Sequence, residues 1–438
     1  MFNISCLYSH TVVRFKVILI VLAQAVCWFS YPAQIFGQCA ISPSFKLTAN
    51  FPVGASPKAL VTGDFNLDGT PDIATTTNSF IYNVEGKITV LLGNRLWGFR
   101  TANEFPIGST QTAAKTPIAI ITADFNRDGK PDLATANQAT RNISVLLGDG
   151  TGRFEQQQVR VFPSVPSPTS IKAGDFNNDG SLDLVVVGQA PGNDRILERI
   201  AVHLGNGTGH FGDANGQPIK QSFSNYPDLL SVATGDFNRD GKIDLAVVGF
   251  DSFGYVERPR FVTTLHGDGA SGFAVANNYR LLDLEYSNSP EEVAVGDFNG
   301  DALPDLAVGL SHSTRIYLNS SSGFNKVGDV GHNLSRSIAI ADLNGDGKTD
   351  IAQAMTGSGS DASIFVALGD GAGGLVQPRN IITGFGAYSV VSSDFDANGK
   401  ADLAVTDYSS GNVYVLLNAC GLNRKRWRGA AGRLLPTV

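Results

Sequence analysis

Asp236-Phe237-Asn238-Arg239-Asp240-Gly241-Lys242-Ile243-Asp244-Leu245-Ala246-Val247 decides the fold, because a version of it occurs seven times in a chain of 438 residues. The other copies start at Asp64, Asp124, Asp175, Asp297, Asp342 and Asp394, at successive intervals of 60, 51, 61, 61, 45 and 52 residues. A unit that returns at about 50 residues predicts a solenoid or a propeller. Each copy carries oxygen-bearing side chains at positions 1, 3, 5 and 9, and six of the seven have glycine at position 6.

Three carboxylates and an amide packed so closely repel one another unless a cation draws them together. Hard oxygen donors at this density suit calcium better than magnesium, which demands strict octahedral geometry and keeps its water. The expected ligands are Asp64, Asn66, Asp68 and Asp72 with the backbone carbonyl of Thr70, then Asp124, Asn126, Asp128 and Asp132 with that of Lys130. Next come Asp175, Asn177, Asp179 and Asp183 with Ser181, and Asp236, Asn238, Asp240 and Asp244 with Lys242. The last three sets are Asp297, Asn299, Asp301 and Asp305 with Leu303; Asp342, Asn344, Asp346 and Asp350 with Lys348; and Asp394, Asp396, Asn398 and Asp402 with Lys400. The pattern is like the first half of an EF-hand loop, but position 12 is Thr75 rather than glutamate. An apolar β-type run follows each ninth position, so each loop joins two strands. Two copies depart from the pattern. Ala302 stands where glycine is expected, which strains the turn, and the seventh copy exchanges its acid and amide at Asp396 and Asn398.

The second repeat shows the strand grammar most clearly. Residues 117–123 lead into the loop, 132–136 leave it, and 143–147 form a third strand. The turn Gly148-Asp149-Gly150-Thr151-Gly152 then reaches Phe154 and a more polar fourth strand. Four short strands in about 55 residues make one propeller blade. The predicted fold is therefore all-β, a seven-bladed β-propeller of four-stranded blades with its calcium loops on one face. The array stops after a third strand at 412–418 and starts with an unpartnered one near 45–53. The N-terminal strand is thus expected to close the ring as the outer strand of blade seven, removing an open edge.

Residues 1–38 read as a secretion signal, with Arg14 and Lys16 ahead of an apolar run from Val17 to about Phe29. Cleavage is expected between Ala33 and Cys39. Gln38 stands where a lipoprotein signal wants a small residue, and the apolar run falls short of the ~20 residues that span a bilayer. Removing the signal takes Cys6 and Cys27 with it and leaves Cys39 and Cys420, one at each end of the array, which an oxidising compartment would pair. Residues 39–420 form the propeller, and 421–438 a basic, disordered tail. The exported protein is expected to be secreted or held at the cell surface, monomeric, with no membrane span.

The copies beginning Gly63-Asp64-Phe65-Asn66-Leu67-Asp68-Gly69, with the turn at 146–154, resemble the FG-GAP repeats of integrin alpha subunits. They are closer still to the secreted bacterial FG-GAP/VCBS repeat proteins. The resemblance covers about residues 45–420 and implies a seven-bladed β-propeller holding up to seven structural Ca²⁺ ions in the hairpin loops of one face. It leaves function open, because propellers of this kind serve adhesion, carbohydrate binding and sometimes catalysis.

The formal charge is −7, or about −9 without Arg14 and Lys16, and the loops hold 21 of the 40 acidic residues. Seven bound Ca²⁺ would bring it near +5, so acidity in sequence does not argue for a cationic partner. Connections on the face away from the loops vary most, and the one at 249–260 offers Tyr255, Arg258 and Arg260 as candidate ligand contacts, with Phe80, Tyr82, Arg195, Arg199 and Tyr286 in comparable connections. No catalytic residue is assigned. The chain lacks a Gly-x-Ser-x-Gly elbow and a His-Glu-x-x-His motif, and its histidines are scattered. Nucleic-acid recognition motifs are missing too. The reading is a secreted, calcium-binding propeller acting as a binding or adhesion module for an extracellular glycan or protein. An extracellular carbohydrate-active enzyme, lyase or hydrolase, on the same scaffold is the alternative.

Overall fold

A computed structural model of the protein describes residues 43–419, apart from 78–85, 95–97, 108–115, 155–159, 190–198, 213–217, 222–227, 251–258, 282–288, 332–334, 357–362 and 383–385. The segment expected to be a secretion signal, Cys39, Cys420, the segment expected to be a basic tail, Phe80, Tyr82, Arg195, Tyr255, Arg258 and Tyr286 lie outside the described residues.

The described residues fold into seven antiparallel sheets of four strands each, with no helix. In the first blade the strands run Pro57–Gly63, Asp72–Thr77, Lys87–Asn94 and Gly98–Pro106, from the innermost outward. The seventh sheet combines Ala387–Ser393, Asp402–Asp407 and Asn412–Asn418 with the N-terminal strand Phe45–Pro52, which pairs antiparallel with Asn412–Asn418. Neighbouring inner strands touch all the way round, including the seventh against the first.

Burial explains why the second strands are continuous apolar runs. Six of the seven are buried at every position, and Asp244–Phe250 at all but its last. Such strands are covered on both faces, here by the adjoining blades, so alternation disappears. The core is correspondingly split into layers between blades, as where Phe125, Ala134 and Ile143 meet Ile171, Leu184 and Phe211.

Two devices fasten one blade to the next. The aromatic at position 2 of a loop meets an aromatic from the following blade edge-to-face: Phe65 with Phe154, Phe125 with Phe211, Phe176 with Phe273, Phe237 with Phe324 and, across the seam, Phe395 with Phe99. Pairs of this geometry add about 0.5–1.5 kcal/mol beyond the area they bury.

The second device is a hydrogen bond to the carbonyl of the same position 2. Gly152 N–H donates to Phe65 O, Gly209 to Phe125, Ser271 to Phe176 and Gly373 to Phe298. Blades five and seven lack the glycine-rich turn, and there a side chain takes over: Asn319 Nδ2 donates to Phe237 O at 2.8 Å and Asn418 Nδ2 to Leu343 O at 2.7 Å. At Gly152 the approach is so close, with φ at +79°, that an added Cβ would lie 2.6 Å from Leu92.

Every inner strand also carries a β-bulge at its start. The register slips between Pro57 and Leu60, Pro117 and Ala119, Pro168 and Ser170, Leu229 and Ser231, Pro290 and Glu292, Ser335 and Ser337, and Ala387 and Ser389. A bulge releases one residue from the ladder and re-aims its side chain.

Candidate metal loops and the opposite channel mouth

The seven acidic loops join inner to second strands, and the glycine-rich turns join third to outer strands, so alternating strand direction puts both on one face of the ring. In the first loop Asp64 accepts the amide N–H of Asp68 on Oδ1 and of Gly69 on Oδ2, at 3.0 and 2.8 Å. Asn66 Oδ1 also accepts the Asp68 N–H, and Asp68 Oδ1 accepts that of Thr70 at 2.8 Å. The scheme recurs around Asp124, Asp175, Asp236, Asp297 and Asp342. It needs a left-handed backbone at positions 4 and 6, and position 4 is non-glycine in five loops: Leu67, Arg127, Asn178, Arg239 and Ala397. Loop five has Gly300 at position 4, while Ala302 takes the left-handed turn at φ +61°, so the strain expected there is present.

The acid at position 9 behaves differently from the other three. Asp72, Asp132, Asp183, Asp244, Asp305, Asp350 and Asp402 are all fully buried. Each straps two backbone amides. Asp132 Oδ2 accepts Phe125 N–H and Oδ1 accepts Gly148 N–H, both at 2.8 Å, and the other six repeat the arrangement. Burial, reinforced by the neighbouring acids, pushes Asp72, Asp132, Asp183 and Asp350 up to about 6 and Asp402 up to about 7, against the pull of those amides. Asp244 and Asp305 are raised for the same first reason.

Whether the loops suit a cation turns on the donors left over. Each carboxylate oxygen has two lone pairs, so accepting one amide leaves it able to ligate. The set is all oxygen, rich in charge and poor in countercharge, which fits a hard divalent ion. Lys130 lies 3.3 Å from Asp128, and Lys348 at 4.0 Å from Asp346, a partial neutralisation in loops two and six. The seventh loop stands apart: Asp394, Asp396 and Asp402 bring carboxylate oxygens within 4.8 Å of one another, the one such trio among the described residues. The exchange that puts an acid at position 3 is what gathers them.

Two arginines sit elsewhere than the sequence suggests. Arg260, expected in an exposed recognition loop, begins the third strand of blade four, 8% exposed, with Nε donating to Ser289 Oγ at 3.3 Å. Arg199 immediately precedes the third strand of blade three, Ile200–His203, and is 1% exposed. Charge alone suggests exposure, but the aliphatic stem of arginine packs well where its head finds a partner. His203 is likewise buried, its Nε2 within 3.1 Å of Ser164 Oγ.

The inner strands supply a feature the sequence reading missed. The bulged residues Lys58, Ile118, Thr169, Leu230, Glu291, Arg336 and Tyr388 line the end of the central channel away from the acidic loops, at a cavity of about 410 Å³. The next residue inward stitches blades together. Ser170, Ser231 and Ser337 Oγ each accept an amide N–H from the following blade, those of Val232, Val293 and Val390. Glu292 occupies the same place and accepts the Ile338 N–H. Enclosure in the channel pushes Glu292 up to about 7, with Lys172 opposing. The signal in the sequence was slight: one variable residue after the proline that opens four of the seven inner strands.

The FG-GAP-like repeat family matches residues 64–135, 124–186, 297–353 and 342–405, more than half of the chain. The phosphatidylinositol-glycan-specific phospholipase D of Mus musculus is 23% identical over 319 residues, which are 67% of this chain and 34% of that protein. The chain thus spans about a third of the length of the curated relative it matches. Among solved structures, a crystal structure of BBS1N in complex with ARL6DN, soaked with lead, superposes with a TM-score of 0.55 at 14% identity, covering 85% of this chain and 97% of that one. At that identity the likeness speaks for the fold alone.

Proposed function

We propose that this chain, which belongs to the FG-GAP-like repeat family, is a secreted, calcium-stabilised propeller that binds an extracellular glycan or protein. The observation that carries the reading is the contrast between its faces. One repeats a single acidic loop seven times, as a scaffold device does; the other presents a different residue from each blade around one cavity, as a recognition surface does.

Calcium, when bound, supplies the positive charge that offsets the crowded carboxylates of each loop. Positions 1, 3 and 5 would hold it from the exposed side, position 9 from beneath and the position 7 carbonyl from the flank. An ion held by the folded loops and not by the unfolded chain stabilises the fold by mass action.

Thermal unfolding of the mature protein in millimolar calcium and then in chelator tests the first half: a large fall in Tm is expected, and an unchanged Tm with no metal in elemental analysis would defeat it. A glycan and protein-partner screen followed by product analysis tests the second. Retention without products supports a binding module. Product formation supports the carbohydrate-active enzyme instead, or, given the similarity to a phospholipase D, a hydrolase of another class.

A further inference from the structure

We infer that the channel mouth between blades five, six, seven and one is a site for a carboxylate-bearing sugar. Lys58 and Arg336 would hold the carboxylate, and the cavity between the blades would hold the ring. This deepens the glycan reading and rests on it.

The first argument is charge. In a chain of net charge −7, the mouth carries the cations Lys58 and Arg336 against one acid, Glu291, and the residues lining the cavity beneath add one of each sign, Lys172 and Glu292. Lys58 is half-buried and has no carboxylate within ion-pair reach among the described residues. Arg336 gives Nη1 to Glu291 Oε2 at 3.1 Å, which leaves most of the five guanidinium N–H donors unspent among the described residues. Burial and the adjacent Arg336 both push the Lys58 amine down, as expected of a cation held beside another without an anion. An oxyanion between the two would relieve that repulsion and take charge-assisted hydrogen bonds from both.

The second argument is placement. All seven mouth residues are bulged out of their ladders, so none is needed for strand pairing. The guanidinium is also held in position: it lies over the Tyr388 ring at 5.9 Å, Tyr388 stacks on Tyr408 at 5.6 Å between centroids, and Glu291 is fixed in turn by Ser311 Oγ at 3.3 Å. Tyr388 and Glu291 are positioning residues in this scheme. A cation braced against a ring and an acid at the edge of a cavity suits selective anion recognition.

The third argument is size and lining. A cavity of about 410 Å³ accommodates a single pyranose and excludes a folded partner. Ile118 and Leu230 give apolar surface on either side of Thr169, and Thr169 Oγ1, which donates its hydrogen to the Leu229 carbonyl at 2.8 Å, keeps a lone pair for a sugar hydroxyl. A peptide carboxylate would meet the cations and leave the rest of the cavity unfilled, so a ring that carries the carboxylate is favoured.

The test is calorimetric titration of the mature protein, in calcium, with oligogalacturonate and hyaluronan fragments, using neutral galactan and chitin fragments as controls and poly-glutamate as competitor. Binding of at least one uronate fragment is expected, weakened by about tenfold or more in Lys58→Met and in Arg336→Gln, each with unchanged Tm. Arg336→Lys should recover only part, since it keeps charge and loses the fork. Uronates also chelate calcium, but binding bridged through the acidic loops would survive Lys58→Met. Three results overturn the inference: no binding of any uronate, equal binding of neutral and acidic fragments with both variants unaffected, or poly-glutamate bound in preference. The second leaves the glycan-binding reading standing, whereas silence across the whole glycan set together with capture of a protein ligand removes both.

Discussion

The loop face and the mouth face are built at opposite ends of the same inner strands, yet they obey different rules. At the loop end, the position 9 acid ties two amides of its own blade and the position 2 carbonyl receives a donor from the next, so each residue type is dictated by backbone groups that recur in every blade. At the mouth end a bulge frees one residue per blade from the strand ladder, and lysine, isoleucine, threonine, leucine, glutamate, arginine and tyrosine follow one another round the ring. Repetition marks where the backbone sets the terms, and variety marks where it does not.

The sharpest way to break that distinction is to remove a strap. Asp132→Ala strands the buried amides of Phe125 and Gly148, and about 3 kcal/mol or more of stability should disappear in urea unfolding, measured in chelator so that metal plays no part. At the mouth, Lys58→Met should stay within about 0.5 kcal/mol of wild type. Equal costs at the two sites would erase the contrast.

Glu292 sits between the two regimes, on the channel wall but with a backbone partner. Its folded-state pKa is raised to about 7 from the ordinary 4.5 of a glutamate, because enclosure disfavours the charged form. Between those values the folded protein keeps a proton that the unfolded chain has released, so this residue's contribution makes stability fall as pH rises from about 4.5 to about 7. Glu292→Gln removes the titration and keeps an acceptor for Ile338. The variant should therefore gain on wild type across that window by on the order of 1–2 kcal/mol, after allowing for screening in the channel. A pH-independent difference in chemical denaturation would assign Glu292 no buried charge.

A smaller effect probes the joints. Asn319→Ala deletes the side-chain donor to Phe237 O that replaces the glycine-rich turn in blade five, at a cost of about 1 kcal/mol in the same assay. Smallest, and opposite in sign, is Ala302→Gly. The residue has φ +61°, and relaxing a left-handed alanine should stabilise by about 1 kcal/mol or less, once the glycine's extra unfolded-state freedom is counted. A loss of stability there would mean the turn is not strained.

Blade number and strand order within a blade were legible in the sequence, because the seven acid clusters fix the register of everything between them. The strained Ala302 was legible too, since one missing glycine stands out against six. What escaped notice lacked a repeating residue type. Asn319 and Asn418 replace a backbone amide with a side-chain amide, so the shared function hides behind different residues. The mouth residues share only a backbone irregularity, which no side-chain pattern reports. Arg260 misled for a related reason: its charge is visible in the sequence and its hydroxyl partner across the fold is not.

The strand that completes the seventh sheet has a mechanical meaning. Phe45 faces Asn418, and the pair runs antiparallel from there to Pro52 and Asn412. A pull that separates the two facing ends opens this pair from its end, one hydrogen bond after another, instead of shearing all of them at once. The two ends are also unequal as points of attachment. Tension entering at Asn418 reaches a strand held by neighbours on both sides, whereas tension entering at Phe45 reaches an edge strand held on one side only. Anchored beyond Asn418, the ring would resist drag on a ligand seated in its mouth; anchored before Phe45, it would peel open at the seam.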